Sequence, residues 1–456
     1  MIFEAENAGK NSVPAGDAPE KRAIDLSFAE SGGLAPYKDG RIWTGVFLKA
    51  LEEYSEIFIP AGKYYIDRSL VVRSGTSIYA DRHAEIIRMK GVKTLLLRNE
   101  SVIDGSDSRI ADDAPCDRDI SVCGGIWGEE NDGRTEYGLS GCYDDDNSMN
   151  GVCACFLFSG VRGLTLKNLV FRSTGGFACQ LGRIDGLSVE NLRFESCYAD
   201  GLHINGNVKN GTVKNLYGHT EDDLIALNAY DWDNSSINFG SIENLTVDGV
   251  MSDREENSHK SFRILPGVYR YRNGEKEDCC IRNLVIRNVS GITAFKMYLQ
   301  TPAYAGHPER DIGVGRIENA VFENIETDTS SPVDMQPNYV SGDPVTGCFA
   351  AFEIGSDVKN LRFENVRVRL DREKYPNSYF MLAGPKSQYY PDRGLELFDP
   401  YVSCTVEGVV YRNVFINGCP VNDLSGYIKT VEFDSLYPSE LPFGKGKIIS
   451  VSKDEG

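Results

Sequence analysis

The chain has 456 residues, of which 41% are hydrophobic and 25% are charged, the composition of an ordinary globular protein. Its net charge of −19 and sequence pI near 4.8 repel phosphate backbones, which disfavours nucleic-acid binding as a main role. No apolar run approaches the ~18 residues that a membrane-spanning helix needs. We therefore expect neither a nucleic-acid nor a membrane partner.

The opening sequence, MIFEAENAGKNSVPAGDAPEKRAID, lacks a basic segment followed by a long apolar core. It therefore does not have the pattern of a secretory signal peptide, and we expect a cytoplasmic protein, or a secreted one if a signal has been removed. The cysteines form no matched pair of C-x2-C motifs, so a zinc site is disfavoured and free thiols are expected. They are Cys116, Cys123, Cys142, Cys153, Cys155, Cys179, Cys197, Cys279, Cys280, Cys348, Cys404 and Cys419.

The first predicted element is a helix in IWTGVFLKALEEYSE, which begins at Ile42. Apolar residues at 43, 46, 47, 50, 51 and 54 would share one face of it. The following IFIPAGKYYI reads as strand, turn and strand. Because the end of a solenoid exposes its core, we interpret residues 1–60 as an N-terminal cap with this helix and the first strand. Residues 61–456 would then form one catalytic domain.

Residues 107–150 are acidic, glycine-rich and aperiodic, with CYDDDN at 142–147. We interpret them as a solvated insertion beside the cleft, with a calcium loop as the alternative. Further loop insertions are expected after residues 228, 267, 300 and 370.

A repeat of an aliphatic residue, any residue, asparagine and another aliphatic residue organises the rest of the chain. The apolar residues alternate with polar ones, as in half-buried strands, and turn-forming residues separate the units. The first steps are 23 and 24 residues, and later ones are 29, 39, 36 and 41. The repeat is centred on Asn168, Asn191, Asn215, Asn244, Asn283, Asn319 and Asn360, with a weaker copy at Gly408.

Short strands at this period, without amphipathic helices between them, predict an all-β parallel β-helix. The repeated asparagines would stack as an internal ladder, each amide bonding to the one a coil away. A leucine-rich repeat would need helical segments, and a propeller would need four strands in each blade. Neither alternative fits the short first steps of the repeat.

Three carboxylates recur at the length of one coil. Asp200 opens DGLHIN, and Asp222 and Asp223 follow 22 and 23 residues later. On stacked coils these side chains would lie close together. Like charges that close raise the pKa of at least one carboxyl group, so that one group stays protonated as an acid while another is ionised as a base. Glycoside hydrolysis requires such a pair. Adjacent strand residues point to opposite faces, so both Asp222 and Asp223 can face one cleft only if the strand bends or bulges there.

The pattern DG, one coil, then DD before an apolar strand resembles glycoside hydrolase family 28, the polygalacturonase family. Weaker matches follow in the family's order over residues 120–370: GGIWG at 124–128, HKSFRILPG at 259–267, AFKMY at 294–298 and QPNYVSGDPVTG at 336–347. The resemblance implies a right-handed parallel β-helix of the pectin-lyase-like kind that hydrolyses glycosidic bonds with inversion. It implies no metal and no cofactor.

By this resemblance Asp222 would be the general acid, and Asp200 and Asp223 would hold and deprotonate water. His259 would hydrogen-bond the acid, and Lys296 and Tyr339 would contact sugar hydroxyls or a carboxylate. The other candidate substrate-binding residues are His203, which stands where the family has a second acidic residue, and Arg263, which competes with Lys296 for an anion.

Departures from the family leave the sugar open. Tyr198-Ala199 stands where the family has Asn-Thr, and only Lys296 of its Arg-x-Lys segment is present. The sequence therefore predicts a glycoside hydrolase that acts on an oligo- or polysaccharide, with or without uronic acid units. A polysaccharide lyase or epimerase on the same fold, and a non-catalytic carbohydrate-binding β-helix, are the alternatives.

Overall fold

The computed structural model describes residues 34–92, 94–102, 116–134, 154–229, 237–253, 261–267, 270–272, 275–298, 315–331, 349–384, 389–390, 394–395, 403–430 and 445–455. Its N-terminal elements are β1 Pro36–Tyr37, β2 Gly40–Arg41, α1 Thr44–Glu53, β3 Glu56–Ile59, β4 Gly62–Ile66, β5 Leu70–Val72, β6 Ser77–Arg88, β7 Leu97–Asn99 and β8 Asp117–Glu129. A short 3-10 helix follows β7 at Glu100–Val102.

Most of the remaining elements are strands. The middle of the chain forms β9 Ala154–Arg172, β10 Phe177–Cys197, β11 Leu202–Asn205, β12 Val208–Thr220, β13 Ile225–Asn228, β14 Ile242–Ser252, β15 Ser261–Leu265, β16 Arg270–Arg272, β17 Glu275–Glu277, β18 Ile281–Ile292 and β19 Ala294–Tyr298. The C-terminal part forms β20 Ile317–Thr329, β21 Phe349–Gly355, β22 Val358–Leu370, β23 Ser378–Ala383, β24 Tyr389–Tyr390, β25 Gly394–Leu395, β26 Cys404–Ile416, β27 Cys419–Pro420, β28 Ile428–Thr430, β29 Gly446–Ile448 and β30 Val451–Lys453, with a 3-10 helix at Ser425–Tyr427.

Two ladders of parallel strands wind through the molecule, so the predicted parallel β-helix is confirmed. The longer strands pair in the order β6, β8, β9, β10, β12, β14, β18, β20, β22 and β26. The short strands β11, β13, β15, β19, β21 and β23 form a second ladder beside the first. From β11 to β23 each coil contributes one long and one short strand around an apolar interior, whereas β9 and β10 each run through both ladders.

Aromatic side chains fill much of that interior. Phe295 and Phe352, one coil apart, stack with ring centroids 4.9 Å apart and an angle of 1° between their planes. Phe322 and Phe363 also stack, with centroids 5.6 Å apart and an angle of 27° between their planes. Because identical positions recur on successive coils, similar side chains meet face to face and continue the core along the axis.

The predicted helix is present as α1, and it buries Thr44, Val46, Phe47, Ala50 and Leu51. The ring of Phe47 lies 5.6 Å from that of Tyr64 in β4, so the helix packs on the first coil. Among the described residues, no helix has the length and apolar character needed to cross a bilayer. The cysteines of the described residues are free thiols.

The asparagine ladder exists, but it lies on the surface and not inside. For example, Asn283 Nδ2 donates to Asn244 Oδ1 at 2.9 Å, and Asn319 Nδ2 to Asn283 Oδ1 at 2.9 Å, with all three side chains exposed. These residues have φ values of 55° to 57°, the left-handed conformation that asparagine adopts more easily than other residues with a side chain. They turn the strand at a corner of the coil, where the side chain points outward.

The sequence repeat is in fact two ladders, five residues apart on each long strand. Asn168, Asn191 and Asn215 are hydrogen-bonded in one ladder. Asn244 bonds instead to Asn210, 34 residues earlier, and so belongs to the other. The predicted step from Asn215 to Asn244 is therefore wrong. Both corners need a left-handed residue and both use mainly asparagine or glycine, so their local sequences look alike.

Part of the predicted insertion at 107–150 is also wrong. Residues 117–129 form β8, which pairs with β6 and β9 in the long ladder and buries Ile120, Val122 and Trp127. Gly124 and Gly125 have φ values of 81° and 84° and interrupt the strand alternation, which hides the strand in the sequence. After residue 370 the chain returns to the short ladder at β23, and residues 385–388, 391–393 and 396–402 lie outside the described part. Residues 103–115 and 135–153 lie outside the described part.

Candidate active site

Asp200 and Asp223 occupy equivalent positions on successive coils. Each lies just before a strand of the short ladder, Asp200 before β11 and Asp223 before β13. The amide of Ala178 donates to the carbonyl of Asp200 at 2.9 Å, and the amide of Gly201 to that of Asp223 at 3.0 Å. A Cβ at Gly201 would lie 2.6 Å from the carbonyl oxygen of Leu224, so close stacking at this corner requires glycine.

Asp222 joins the other two carboxyl groups because the pair does not lie in a strand. β12 ends at Thr220 and β13 begins at Ile225, so residues 221–224 form a corner where the alternation of strand side chains does not apply. One oxygen atom from each of the three carboxyl groups lies within 4.8 Å of the others. The spacing in the sequence thus brings the three aspartates together, and a corner replaces the bend or bulge that a strand would need.

The three carboxyl groups differ in their access to solvent. The side chain of Asp222 is 13% exposed, that of Asp200 is 4% exposed and that of Asp223 has no exposed surface. A substrate approaching from solvent would therefore meet Asp222 first.

Both carboxyl oxygens of Asp200 have a polar partner within hydrogen-bond distance. Its Oδ2 lies 2.7 Å from Nδ1 of His203, and its Oδ1 accepts from the backbone amide of Asp223 at 3.2 Å. The ring of His203 is buried and stacks on Phe177, with centroids 4.0 Å apart. His203, predicted to bind substrate, therefore contacts a carboxylate of the cluster.

Asp223 is enclosed by Arg263 and Ser261. Arg263 Nε lies 2.5 Å from Asp223 Oδ2, and the hydroxyl of Ser261 donates to Asp223 Oδ1. Burial raises the pKa of Asp223 to about 6, against the lowering effect of Arg263; the charges of Asp222 and Asp200 raise it further. This carboxyl group therefore changes its charge near neutral pH.

Asp222 lies between two guanidinium groups. Arg134 Nη2 donates to Asp222 Oδ2 at 2.7 Å, and Arg263 Nη2 lies 3.8 Å from Asp222 Oδ1. The side chain of Arg134 is 41% exposed, so its contact lies on the solvent side of the cluster.

The predicted cationic residues lie beside one another on the short ladder. Lys296 is the register partner of Arg263 on one side and of Glu353 on the other, and it is 2% exposed. Its positive charge acts on Asp223 in the same direction as that of Arg263. The structure thus places both cations against the carboxylate cluster. His259 and Tyr339, the remaining predicted site residues, lie outside the described part of the chain.

Sequence reasoning missed five polar residues of this region: Arg134, Gln180, Asn205, Ser261 and Glu353. Gln180 stands one coil before His203 and is its register partner, so the coil length was a signal for it. Asn205 and Ser261 lie two residues from His203 and Arg263, on the same side of their strands. Arg134 follows β8, and nothing in its local sequence indicates the contact with Asp222.

The spacing of the three carboxyl groups would also let them share a cation. Two observations bear on that reading: Arg263 lies 2.5 Å from Asp223, and Arg134 lies 2.7 Å from Asp222. Guanidinium groups therefore already supply positive charge where a metal would.

No protein-family model and no curated protein matches the chain. Among solved structures it is similar to the family 28 exopolygalacturonase of Yersinia enterocolitica, with 13% identity, a TM-score of 0.48, and coverage of 89% of this chain and 76% of that one. It is also similar to PfbA, a surface adhesin of Streptococcus pneumoniae (12%, 0.42, 90% and 93%), and to the polygalacturonase of Erwinia carotovora (14%, 0.38, 86% and 95%). Likenesses at this level do not establish membership of family 28 or a reaction.

Proposed function

We propose that the protein is a glycoside hydrolase that cleaves glycosidic bonds of an oligo- or polysaccharide with the carboxyl groups of Asp200, Asp222 and Asp223. The observation that carries the proposal is the cluster itself: three carboxyl groups meet within 4.8 Å through their nearest oxygens, and their environments differ. Hydrolysis of a glycoside needs one group that donates a proton and another that accepts one.

The exposure of each group supports its role. Asp222, the most exposed, would donate its proton to the leaving oxygen as the glycosidic carbon–oxygen bond breaks. Water would add to the anomeric carbon, and its proton would pass to the base formed by Asp200 and Asp223. Exchange with solvent then returns the proton to Asp222. Because Asp223 titrates near pH 6, the base would be ionised at neutral pH.

Arg134 must leave Asp222 for this chemistry. A guanidinium contact favours the ionised carboxylate, whereas a general acid must carry a proton. Arg134 is partly exposed and approaches from the solvent side, so a sugar entering the site would take its place. Its displacement would couple substrate binding to protonation of the acid.

Inversion of the anomeric centre is carried over from the family resemblance. In general, inverting carboxyl pairs are roughly 6.5–9.5 Å apart and retaining pairs about 5–5.5 Å apart. The oxygen spacing here is shorter than the inverting range. NMR of the first anomer released therefore decides this part: the inverted anomer supports it, and the retained anomer contradicts it.

One observation favours a second candidate, a polysaccharide lyase or epimerase. Arg263 and Lys296 are register partners beside the carboxylates, and such enzymes use cations to neutralise a uronic acid next to a base. Elimination leaves an unsaturated sugar, whereas hydrolysis does not.

The test is product analysis over a panel of poly- and oligosaccharides, galacturonans included. New reducing ends without an unsaturated product support the hydrolase. Unsaturated products indicate the lyase, and binding without any product indicates a carbohydrate-binding protein.

A further inference from the structure

A buried amide beside the candidate active site has a fixed orientation. Asn205 Oδ1 accepts from the backbone amide of Ile237 at 3.2 Å, and a backbone amide can only donate. At the other end, Asn205 Nδ2 points to the backbone carbonyl of Asn228 at 3.4 Å, which can only accept. Gln180 Nε2 completes the set by donating to Asn205 Oδ1 at 2.8 Å. The oxygen and nitrogen of this side chain therefore cannot be exchanged without loss of these bonds.

The orientation of Asn205 fixes the proton of His203. Asn205 Nδ2 lies 3.2 Å from His203 Nε2, and because the amide nitrogen is a donor, Nε2 must accept. The ring proton then resides on Nδ1, which faces Asp200 Oδ2 at 2.7 Å. Stacking on Phe177 holds the plane of the ring, and His203 is 1% exposed.

We infer that His203 is a positioning residue whose Nδ1–H tautomer, imposed by Asn205 and the Ile237 amide, holds Asp200 as an ionised acceptor. This inference rests on the proposed function, because it assigns Asp200 to the base. With His203 donating to Oδ2 and the Asp223 amide donating to Oδ1, both oxygens of Asp200 face N–H donors, which stabilise its ionised form over the protonated one.

The surrounding charges act on the whole cluster. Asp222 and Asp223 lie within 4.8 Å of Asp200 through one oxygen each, and the charges of Arg263 and Lys296 act on Asp223. The register neighbours of His203 on the adjacent strands are Gln180 and Ala226, which are uncharged. Donation to Asp200 is therefore the charge-assisted contact of the ring, and the resulting ionised Asp200 disfavours ionisation of the other two carboxyl groups. On Asp222, the proposed acid, this effect favours the proton that catalysis needs.

The direct test is nitrogen NMR of the native protein labelled with 15N-histidine. The chain has five histidines, and the His203→Asn variant identifies the signals of His203. The expected result is a proton on Nδ1 and an unprotonated Nε2 at neutral pH. A proton on Nε2, or on both nitrogens, would overturn the inference. The exposed His83 serves as the reference ring.

The functional test compares two amide replacements on the substrate found in the panel. In His203→Asn the amide nitrogen takes the place of Nδ1 and keeps a donor toward Asp200, whereas in His203→Gln it lies nearer to the place of Nε2. Loss of the donor to Asp200 disfavours the ionised form of the three coupled carboxyl groups, so the acidic limb of the kcat/KM profile should move to higher pH in His203→Gln. The acidic limb of His203→Asn should lie closer to that of the native protein, and the acidic limb of His83→Gln should coincide with the native one.

Each outcome has a definite meaning. Coincident acidic limbs in the native and His203→Gln proteins would reduce His203 to a packing residue and contradict the inference. A native protein without activity on any sugar would contradict the proposed function, whereas the NMR spectrum would still decide the tautomer of His203. Thermal unfolding of each variant separates a loss of fold from a shift of the profile.

Discussion

Asp223 and Arg263 form an ion pair inside the protein: Arg263 Nε lies 2.5 Å from Asp223 Oδ2, and the carboxyl group has no exposed surface. The pair meets the distance for an ion contact, although its angles are not those of a hydrogen bond. Arg263 lies on β15 and Asp223 at the corner before β13, so the contact links two successive coils. It also ties the carboxylate cluster to β15, whose Arg263 is the register partner of Lys296 on β19.

Removing the arginine should leave a buried charge without its nearest partner. We expect Arg263→Met to lower the free energy of unfolding at pH 7 by about 3–5 kcal/mol, as measured by urea denaturation. The loss should be smaller at pH 5, because Asp223 is then largely protonated. Arg369→Met is the matched control, since the side chain of Arg369 is 69% exposed and its surface pair with Asp328 contributes little.

An unchanged free energy of unfolding in Arg263→Met would mean that the ion pair with Asp223 has no role in stability. The double variant Asp223→Asn with Arg263→Met extends the test, because it removes the charge as well as its partner. It should recover most of the stability that the single arginine variant loses.

The raised pKa of Asp223 predicts a pH-dependent stability. The pKa is about 6 in the folded protein and 3.8 ordinarily, so the folded state binds the proton more tightly. The stabilisation is fully present below about pH 4 and is lost as the pH rises through 6, by at most about 3 kcal/mol. Asp223→Asn lacks this loss. From pH 4 to 6 the native protein should therefore lose stability relative to Asp223→Asn, as measured by the free energy of unfolding. A constant difference between the two proteins would contradict the raised pKa of Asp223.

The surface ladder predicts a penalty at the corner positions. Asn283 has a φ of 55° and bonds to Asn244 and Asn319, so Asn283→Ala strains the backbone and removes two hydrogen bonds. We expect a loss of roughly 1–3 kcal/mol in thermal or urea unfolding. Asn283→Gly avoids the backbone strain but still loses the two hydrogen bonds, so its stability should lie between those of Asn283→Ala and the native protein. Equal stability of the alanine and glycine variants would contradict the left-handed geometry.

Arg134 should set the upper pH limit of the reaction. Its contact with Asp222 favours the ionised carboxylate, so Arg134→Gln should let the acid keep its proton to higher pH. We expect the basic limb of the kcat/KM profile to move upward by about 0.5–1 pH unit, with Arg369→Gln unchanged. An unchanged or lower basic limb in Arg134→Gln would mean that Arg134 does not favour the ionised form of Asp222.

Sequence periodicity was sufficient for the fold because each coil repeats the same alternation of apolar residues. It was insufficient for the register after Asn215, because two corners five residues apart, here at Asn210 and Asn215, have the same left-handed requirement. The strand at 117–129 was hidden for a related reason: Gly124 and Gly125 break the alternation on which strand recognition depends.

For the candidate site, the sequence predicted that the three aspartates come together but not their individual contacts. The one-coil spacing in the sequence brought Asp200 near the aspartate pair, but only the hydrogen bonds between coils identify Asp223 as its equivalent. His203 was placed in the site, whereas its contact with Asp200 depends on a corner geometry that spacing does not contain. Arg134 is brought to Asp222 by the path of the chain after β8, which no local pattern indicates.

The measurement that tests the central claim most directly is the release of reducing ends by the Asp222→Asn variant on the substrate identified in the panel. Loss of the general acid should lower kcat by about 10²–10⁴-fold while the unfolding curve stays near native. Asp119→Asn is the matched control, because Asp119 is an exposed aspartate at a left-handed corner that asparagine also suits, and it should retain full activity. Equal rates for the Asp222→Asn variant and the native protein would contradict the proposed mechanism.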